Sequence, residues 1–323
     1  MSELVAVRVA SKWQGADDIC VLELESSDGS PLPPYSAGAH IDLHLPGGAS
    51  RQYSLSCYRP APQRYQVAVL REPASRGGSA AVHEKLSVGD SIQISSPRNL
   101  FALAEDRQPA LLLAGGIGIT PILCMAEFLA SSGRDFELHY CGRSSNRMAF
   151  LDRLGEDDMS ARVHIHTDDG PPEQRLDIEG VLARHSRDSH IYVCGPTGFI
   201  DAMVAKAQSQ GWTSDYIHFE RFSNADLMLR DDGSEQGFEV ELASTREVVS
   251  VGPDESIIEA LARHGVFVET SCEQGICGTC LTGVKAGTPD HRDMYLSENE
   301  KKKNDQFLPC CSRSKTPRLV LDL

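Results

Sequence analysis

The spacing of the cysteines near the carboxyl end of the chain is the feature that most constrains its fold. Cys272, Cys277 and Cys280 are separated by four and then by two residues, and Cys310 follows further along the chain. This pattern is typical of a loop that binds a [2Fe–2S] cluster, because two irons need four thiolates and a tight loop can supply three of them. The sequence therefore predicts a segment organised around a one-electron carrier.

Two glycines in the loop, and the Cys310-Cys311 pair that follows it, make this prediction more specific. Gly275 and Gly278 permit a tight loop whose backbone N–H groups point at cluster sulfurs. We take Cys310 as the fourth ligand, since its spacing fits and since Cys311, next on a segment expected to be extended, would point the other way. A zinc site and a redox disulfide within the C-x2-C segment are the alternatives, although zinc motifs usually carry two such pairs.

Charge and cysteine content narrow the partners and the compartment. The 323 residues carry a formal net charge of −15, which argues against nucleic acid or an anionic membrane as a partner. No apolar run typical of an export signal begins the chain, and glycines and Pro121 interrupt the most apolar window, 110–130. That window predicts strand, loop and helix, since a membrane span would be continuous. Ten cysteines without an export signal favour a reducing cytoplasm.

The first hundred residues alternate short apolar runs with turns rich in proline and glycine. Short strands at this spacing predict an antiparallel barrel or sandwich. The expected strands are Glu3–Ala10, Ile19–Leu24, His40–Leu45, Arg51–Ser56, Tyr65–Leu70 and Ser91–Ser95, with one helix at Ser79–Leu86.

Two features of this region favour a ligand that carries a phosphate. The helix expected after Gly77-Gly78 would begin with free N–H groups and the positive end of its dipole. On an expected strand, Arg51 supplies a fixed charge for phosphate, Tyr53 a flat ring on the same face and Ser54 a hydroxyl on the other. Taken singly, these features also fit an ordinary turn and an ordinary polar strand.

The middle of the chain alternates strands and helices, which predicts a parallel sheet with helices on both faces. Ligands bind such sheets at the carboxyl ends of the strands, where two loops lie. One is the glycine loop 115–121, which lacks the third glycine of G-x-G-x-x-G, and the other is Cys194-Gly195-Pro196, with Thr197 expected as a helix cap. The expected strands are Pro109–Gly115, Phe136–Tyr140, Arg162–His166, His190–Cys194 and Tyr216–Phe219, and the expected helices run from Pro121 to Ser131 and over Ala149–Leu154, Ile178–His185 and Gly198–Gln210.

Four histidines of this region, His164, His166, His185 and His190, lie near strand ends or loops. They do not show the spacing of metal ligands, so the sequence assigns them no function.

The end of the chain is interpreted as a linker followed by a small α+β unit. The stretch 223–236 is polar and acidic, as linkers often are. The unit from Phe238 is expected to contain strands at Phe238–Leu242, Glu247–Val251 and Arg318–Leu323 and a helix at Ile257–His264.

Together these motifs resemble the phthalate dioxygenase reductase family of the ferredoxin reductase superfamily. The resemblance covers essentially the whole chain. It is carried by R-Q-Y-S-L at 51–55, R-G-G-S at 76–79, A-G-G-I-G-I-T-P at 114–121, C-G-P at 194–196, C-E-Q-G-I-C-G-T-C at 272–280, D-H-R-D-M at 290–294 and S-R-S-K at 312–315. It implies an FMN-binding β-barrel domain at 1–105, an NAD-binding α/β domain at 106–222, a linker at 223–236 and a plant-type [2Fe–2S] ferredoxin domain at 237–323.

The resemblance also implies the function, the cofactors and the site residues. The function would be that of a reductase that moves electrons from NADH through FMN and a [2Fe–2S] cluster to a Rieske-type oxygenase, as in vanillate demethylase systems. The implied FMN contacts are Arg51, Tyr53, Ser54, Gly77, Gly78, Ser79, Thr120 and Phe222. The implied nicotinamide site contains Gly115, Gly116, Gly118, Pro121, Arg143, Cys194, Gly195 and Pro196, with Ser54, Thr120 and Cys194 nearest the chemistry, and the implied cluster ligands are Cys272, Cys277, Cys280 and Cys310.

Two positions depart from the pattern of the family. Cys310 is followed by a second cysteine, and Ser144 stands where some relatives have Asp. An acid there would favour the free ribose hydroxyl of NADH, whereas Ser144 with nearby Arg147 would tolerate a 2′-phosphate.

Three other functions fit parts of the sequence. An FAD enzyme of the same superfamily would use the same fold. A monooxygenase would need an oxygen-activating metal site, but the sequence shows no Rieske C-x-H and no haem motif. A redox-sensing protein would signal through its cluster and would not turn over. Against these, a nicotinamide gives up two electrons together and a cluster accepts one, so a flavin is expected between them.

Overall fold

The computed structural model describes residues 4–73, 77–222 and 236–323. The chain forms two compact units, Met1–Phe222 and Ser223–Leu323. The predicted linker lies almost entirely outside the described residues, as does Arg76 of the R-G-G-S segment. The domain boundaries inferred from the sequence stay predictions.

The first unit begins with a six-stranded antiparallel sheet in the order β4-β3-β6-β1-β2-β5. A bridge between Leu55 and Val67, and a 2.9 Å hydrogen bond from Ser56 N to the Gln66 carbonyl, join the end of β4 to β5 and close the sheet into a barrel. The predicted antiparallel barrel is therefore confirmed. The elements are β1 Leu4–Ala16, β2 Ile19–Ser26, β3 His40–His44, β4 Ser50–Ser54, β5 Arg64–Leu70, α1 Gly78–Lys85 and β6 Ser91–Ser95.

The first unit continues with a five-stranded parallel sheet in the order β11-β10-β7-β8-β9. Alternate residues of its central strand enter different cores, with Leu112 packing on the side of α2 and Leu111 and Leu113 on the side of α5 and α6. The predicted sheet with helices on both faces is confirmed. The elements are β7 Ala110–Gly115, α2 Ile119–Ser131, β8 Phe136–Gly142, α3 Leu151–Leu154, α4 Asp157–Ser160, β9 Val163–Thr167, α5 Ile178–Arg184, β10 His190–Cys194, α6 Thr197–Ser209 and β11 Ile217–Glu220.

Two helices of this sheet begin differently from the prediction. Pro196 is the N-cap of α6 and its carbonyl accepts a hydrogen bond from Ile200 N at 3.1 Å, so Thr197 is already helical and its prediction as a cap is wrong. α3 begins two residues later than predicted, because Phe150 has a φ of +66° that a continuous helix does not accommodate.

The second unit contains a mixed sheet in the order β13-β12-β18-β14-β16, with α7 packed against it through Ile257, Ala260 and Leu261. A capping box starts α7, since Ser256 Oγ accepts from Glu259 N at 3.2 Å and Glu259 Oε2 accepts from Ser256 N at 2.8 Å. The predicted α+β unit is confirmed. Its elements are β12 Phe238–Leu242, β13 Val248–Val251, α7 Ile257–Arg263, β14 Thr282–Ala286, β15 Pro289–Asp290, α8 Glu298–Lys301, β16 Gln306–Phe307, β17 Arg313–Ser314 and β18 Arg318–Leu321.

None of the helices in the described part of the chain combines the length and the apolar character that a membrane crossing needs.

Candidate functional site

The four predicted cluster cysteines lie in two pairs. Cys272 donates a hydrogen bond to the sulfur of Cys277, which lowers the pKa of the Cys277 thiol, and Cys280 pairs in the same way with Cys310. Among the described residues, no three cysteine sulfurs lie within 4.8 Å of one another. Four sulfurs around one zinc would all be about 3.8 Å apart, given Zn–S bonds of about 2.3 Å. Two separate pairs fit two irons, so these thiols can hold a [2Fe–2S] cluster.

The segment with the fourth ligand differs from the expectation. Cys310 and Cys311 lie in a turn, so the argument from an extended segment is wrong. The two thiols are nevertheless used differently. Cys310 pairs with Cys280 and is also in contact with Cys311, whereas the buried Cys311 thiol donates to the Leu308 carbonyl at 3.6 Å and packs beneath Gly275.

Close backbone packing gives the cluster loop its shape. Gly275 and Gly278 have φ angles of +70° and +74°, which side chains rarely adopt. A Cβ at Gly278 would lie 2.4 Å from the ring of Tyr295, and the Gly275 carbonyl accepts from Met294 N at 2.9 Å. The D-H-R-D-M segment and Tyr295, the residue after it, therefore form the wall against which the cluster loop is folded.

The S-R-S-K segment supports the second unit from within. Arg313 is buried and donates to the carbonyls of Gly252 and Glu255 at 2.8 and 2.9 Å. Its guanidinium also lies over the Phe238 ring. Arg313 thus ties the turn before α7 to β12 and is a structural residue.

In the first unit, the two segments predicted to hold a phosphate come together. A Cβ at Gly78 would lie 2.6 Å from Arg51 Cγ, so the Arg51 side chain crosses the first turn of α1. Gly77 is the N-cap, with a φ of +91°. Ser79 Oγ accepts from Glu72 N at 3.1 Å and still has its own proton to donate. The neighbouring Tyr53 is mostly buried, and burial raises its pKa to about 12.

The far end of α1 is held by a lysine from the first strand. Lys12 Nζ donates to the carbonyls of Val82, His83 and Leu86 at 2.9, 2.8 and 2.6 Å. These carbonyls lie in the last turn of the helix, where a cation also complements the helix dipole. Lys12 therefore fixes the direction of the helix whose first turn meets Arg51.

Three polar residues from different strands meet at the carboxyl edge of the parallel sheet; we call them the Ser54–Glu220–Cys194 group. Ser54 Oγ donates to Glu220 Oε2 at 3.4 Å, and Glu220 lies opposite Cys194 in the register of β10 and β11. Burial raises the pKa of Glu220 to about 8, an effect that the Ser54 hydrogen bond reduces. Burial, and then Glu220, raises the pKa of the Cys194 thiol. The group is thus largely uncharged near neutral pH.

The segment Glu220-Arg221-Phe222 is similar to the acid-x-aromatic terminus of the family, but only Phe222, and not Glu220, was predicted as a site residue. The sequence signal that could have found it is its place at the end of a strand that lies beside the strand ending in C-G-P, since parallel strands end at the same edge.

The two predicted nucleotide loops are in direct contact. A Cβ at Gly118 would lie 2.3 Å from the Cys194 carbonyl oxygen, and one at Gly195 would lie 3.0 Å from Gly115 Cα. Gly116 has a φ of +53°, and Pro196 lies against Gly115. Glycine therefore allows the two loops to form one surface at the sheet edge.

The other predicted residues lie in different settings. Thr120 is buried beside Pro121, and its hydroxyl donates to the Ile117 carbonyl at 3.1 Å, within its own loop. Arg143 is exposed after β8. Arg147, considered for a 2′-phosphate, instead pairs with Asp18 at 3.0 Å. Phe222 is exposed at the end of the first unit.

Comparison with known proteins decides the family. The model of the 2Fe-2S iron-sulfur cluster binding domain matches residues 240–315, and that of the oxidoreductase NAD-binding domain matches residues 112–205. Over 320 residues the chain is 51% identical to a vanillate O-demethylase oxidoreductase from Pseudomonas sp. (strain HR199 / DSM 7063), with 99% of this chain and 100% of the relative covered. Over 318 residues it is 38% identical to phthalate dioxygenase reductase from Burkholderia cepacia, with 98% and 97% covered.

The chain belongs to the phthalate dioxygenase reductase family. A solved structure of phthalate dioxygenase reductase, described as a modular structure for electron transfer from pyridine nucleotides to [2Fe–2S], matches with a TM-score of 0.82 at 37% identity, covering 99% of this chain and 98% of that one. The predicted function, an oxidoreductase that serves an oxygenase system, is confirmed. FMN, a nicotinamide dinucleotide and a [2Fe–2S] cluster are the cofactors of this family of reductases.

Proposed function

We propose that this reductase takes its electrons from NADH in preference to NADPH and delivers them to a Rieske-type oxygenase. The observation that carries the proposal is the meeting of Ser54, Glu220 and Cys194 beside the joined nucleotide loops, in a chain whose second unit holds two pairs of thiols. When bound, the flavin takes up two electrons as hydride and releases them singly, and the cluster carries one at a time.

At the hydride end, the chain orients the reactants and excludes water. If the protonated Glu220 donates to Ser54 Oγ, the Ser54 hydroxyl would be free to donate to the polar edge of a bound flavin. Thr120 would donate there too after turning from the Ile117 carbonyl. The buried Cys194 and the Gly195-Pro196 backbone would seat the nicotinamide ring, and Phe222, exposed at the end of the first unit, would cover the flavin in the absence of nicotinamide. A largely neutral group at this edge adds little charge that would oppose a passing hydride.

At the phosphate end, Arg51 and the first turn of α1 would hold the FMN phosphate. The guanidinium supplies charge and directed N–H groups, and the backbone at Gly77, Gly78 and Ser79 supplies the positive end of the helix. Acid extraction and chromatography of the released flavin test this assignment, since FAD in place of FMN would contradict it.

The pairing of Arg147 with Asp18 supports NADH as the donor. A guanidinium engaged by a carboxylate is less available for a 2′-phosphate. We expect kcat/KM to be higher for NADH than for NADPH, and Asp18→Asn to raise kcat/KM for NADPH while leaving that for NADH nearly unchanged. A wild type that uses both donors equally would contradict the assignment.

The cluster loop at 273–278, which is half-buried apart from the buried Gly275, is proposed as the docking surface for the oxygenase. Leu281, Met294 and Tyr295 are exposed apolar side chains near this loop, and Tyr295 touches it at Gly278. An apolar patch beside an electron carrier suits a partner that must approach closely but briefly. Leu281→Glu should slow reduction of the oxygenase and spare reduction of cytochrome c, whereas Val88→Glu, at an exposed residue of the first unit, should spare both.

Reconstitution tests the whole proposal. The vanillate demethylase oxygenase is the first partner to try, because relatives that are 51% and 52% identical serve vanillate O-demethylation. With NADH and vanillate, the mixture should consume NADH and release formaldehyde in step. If neither this oxygenase nor any other Rieske-type oxygenase is reduced by a fully loaded reductase, the assignment of the partner is wrong.

A further inference from the structure

A cluster of histidines lies on one face of the parallel sheet, at the strands β8 and β9. Glu137 and His139 share a face of β8, and His164 lies directly opposite His139 on the edge strand β9. His166 follows two residues later, and His185 ends α5. The residues come from three segments, which is why their spacing in the sequence shows no metal motif.

Their side chains converge on the Glu137 carboxylate. Glu137 Oε1 lies 2.8 Å from His139 Nε2 and 3.4 Å from His164 Nε2, and Oε2 lies 3.1 Å from His185 Nε2. The ligand atoms of Glu137, His139 and His164 all lie within 4.8 Å of one another. Three donors at such distances can surround one small cation.

The hydrogen bonds around His139 assign the protons of two rings. His166 Nδ1 lies 2.8 Å from the Gln174 carbonyl, which can only accept, so the proton of His166 is on Nδ1 and its Nε2 accepts. His139 Nδ1, 2.9 Å from that Nε2, must then donate. In the neutral form of His139 this leaves Nε2 without a proton, facing a carboxylate oxygen.

Two lone pairs that face each other at 2.8 Å repel unless a positive charge lies between or beside them. Arg184 Nη2, 3.3 Å from the same Glu137 Oε1, places a guanidinium beside the pair, but the Arg184 side chain is exposed, so solvent screens its charge and it can move aside for a cation. The buried setting of the His139 ring favours the neutral imidazole, which is the form that binds metal ions. A metal ion removes the conflict, because it binds the same lone pairs of neutral imidazole and carboxylate.

We propose that Glu137, His139 and His164 bind a divalent transition-metal ion, with zinc as the favoured ion. Imidazole nitrogen and carboxylate oxygen form the donor set that zinc uses in proteins. The relay from His139 through His166 to the Gln174 carbonyl is the outer support that metal-bound histidines usually have. His185 and His166 are positioning residues that hold Glu137 and His139.

The site has a structural role. It joins β9, the edge strand of the sheet, to β8 and to the end of α5, and its ligands lie along the strands and not in the nucleotide loops. Metal binding should therefore raise the stability of the first unit and leave NADH oxidation unchanged.

The experiment uses the holoprotein, treated with a mild chelator and then with zinc sulfate, after which unbound zinc is removed. Elemental analysis should find about one zinc per chain with iron unchanged, zinc X-ray absorption should show only nitrogen and oxygen ligands, and the thermal midpoint should rise. His164→Gln, at an exposed position, should lose the zinc and the rise in midpoint. His166→Phe keeps a ring beside His139 but removes the relay, and should weaken zinc binding about 10- to 100-fold.

A matched control exists in the same sheet. His218 and His190 lie 2.9 Å apart, and Asp106 lies 3.0 Å from His190, so this second group has two histidines and a carboxylate arranged in a line. His218→Gln should retain zinc like the wild type. The proposal is overturned if the wild type retains no zinc, if its zinc has sulfur ligands, or if His164→Gln retains as much zinc as His218→Gln.

Discussion

The cluster loop and the Ser54–Glu220–Cys194 group are built in opposite ways. Three of the four cluster ligands come from one short loop, 272–280, whose form depends on glycine and on close backbone packing. Ser54, Glu220 and Cys194 come from β4, β11 and β10, and they meet only because two sheets have formed. A local site is encoded by spacing, whereas a distributed site is encoded by topology. A change in the cluster loop should therefore affect the cluster and leave the other site intact. The Ser54–Glu220–Cys194 group should instead respond to changes in the packing of the sheets that carry it.

Removal of a cluster ligand should have the largest effect and should stay confined to the second unit. In Cys277→Ser we expect NADH to reduce the flavin as in the wild type, while NADH-dependent reduction of cytochrome c or oxygenase falls to background, because a thiolate ligand is missing. Stopped-flow absorbance separates the two steps.

The neighbouring thiol gives the matched control for that variant. Cys311→Ser can still donate to the Leu308 carbonyl, so it should keep both reactions. Loss of flavin reduction in a folded Cys277→Ser protein would show that the two sites are not independent.

Removal of the phosphate charge should have the next largest effect. Arg51→Gln should weaken FMN binding about 10- to 100-fold, since a hydrogen bond to a charged group is worth about 1.5–3 kcal/mol. Flavin fluorescence on dilution measures the release. The exposed Arg59→Gln is the control and should bind FMN as the wild type does. Equal affinities in the two variants would place the phosphate elsewhere.

A methyl group between the nucleotide loops tests the distributed site through its packing. In Gly118→Ala the new Cβ would lie 2.3 Å from the Cys194 carbonyl oxygen, so the loops must separate. Such overpacking costs about 1–3 kcal/mol, and we expect both a higher KM for NADH and a lower thermal midpoint. Gly198→Ala, in the first turn of α6 with open space around it, should be neutral or stabilising. A normal KM in Gly118→Ala would show that the loops need not touch.

The pH dependence of stability should show the smallest effect. The pKa of Glu220 is raised to about 8 in the folded protein, so its protonated form contributes stability at low pH, and this contribution is lost as the pH rises through about 8. The free energy of unfolding of the wild type, relative to Glu220→Gln, should therefore fall from about pH 5 to pH 8. Because Glu220 keeps part of its surface exposed, solvent screening should hold the fall to about 1 kcal/mol. A difference independent of pH would mean that Glu220 is ionised and solvated.

Features encoded by local spacing or periodicity could be predicted from the sequence, whereas those that depend on strand pairing could not. The barrel and the parallel sheet follow from periodicity, and strands such as Ser91–Ser95 and His190–Cys194 match residue for residue. The four proposed cluster ligands follow from spacing, and the structure brings them together as two pairs. Glu220 and the histidines around Glu137 could not be found in this way, because the pairing of β10 with β11 and of β8 with β9 brings them together. The cap of α6 was displaced by one residue because the Pro196 backbone remains extended.

Short strands of the second unit were missed for a different reason. β15, β16 and β17 have two residues each, too few for any alternation of apolar and polar side chains to be visible.

The clamp that Lys12 applies to α1 has a wider consequence. Anion binding depends on the direction of the backbone N–H groups as well as on their number. In a helix of two turns, a small tilt is enough to change that direction. Lys12, on the first strand of the barrel, binds the C-terminal turn of α1 and so holds in place the N-terminal turn that faces Arg51. Binding of the coenzyme phosphate at the first turn of α1 thus depends partly on the Lys12 ammonium group, which binds the last turn of the same helix.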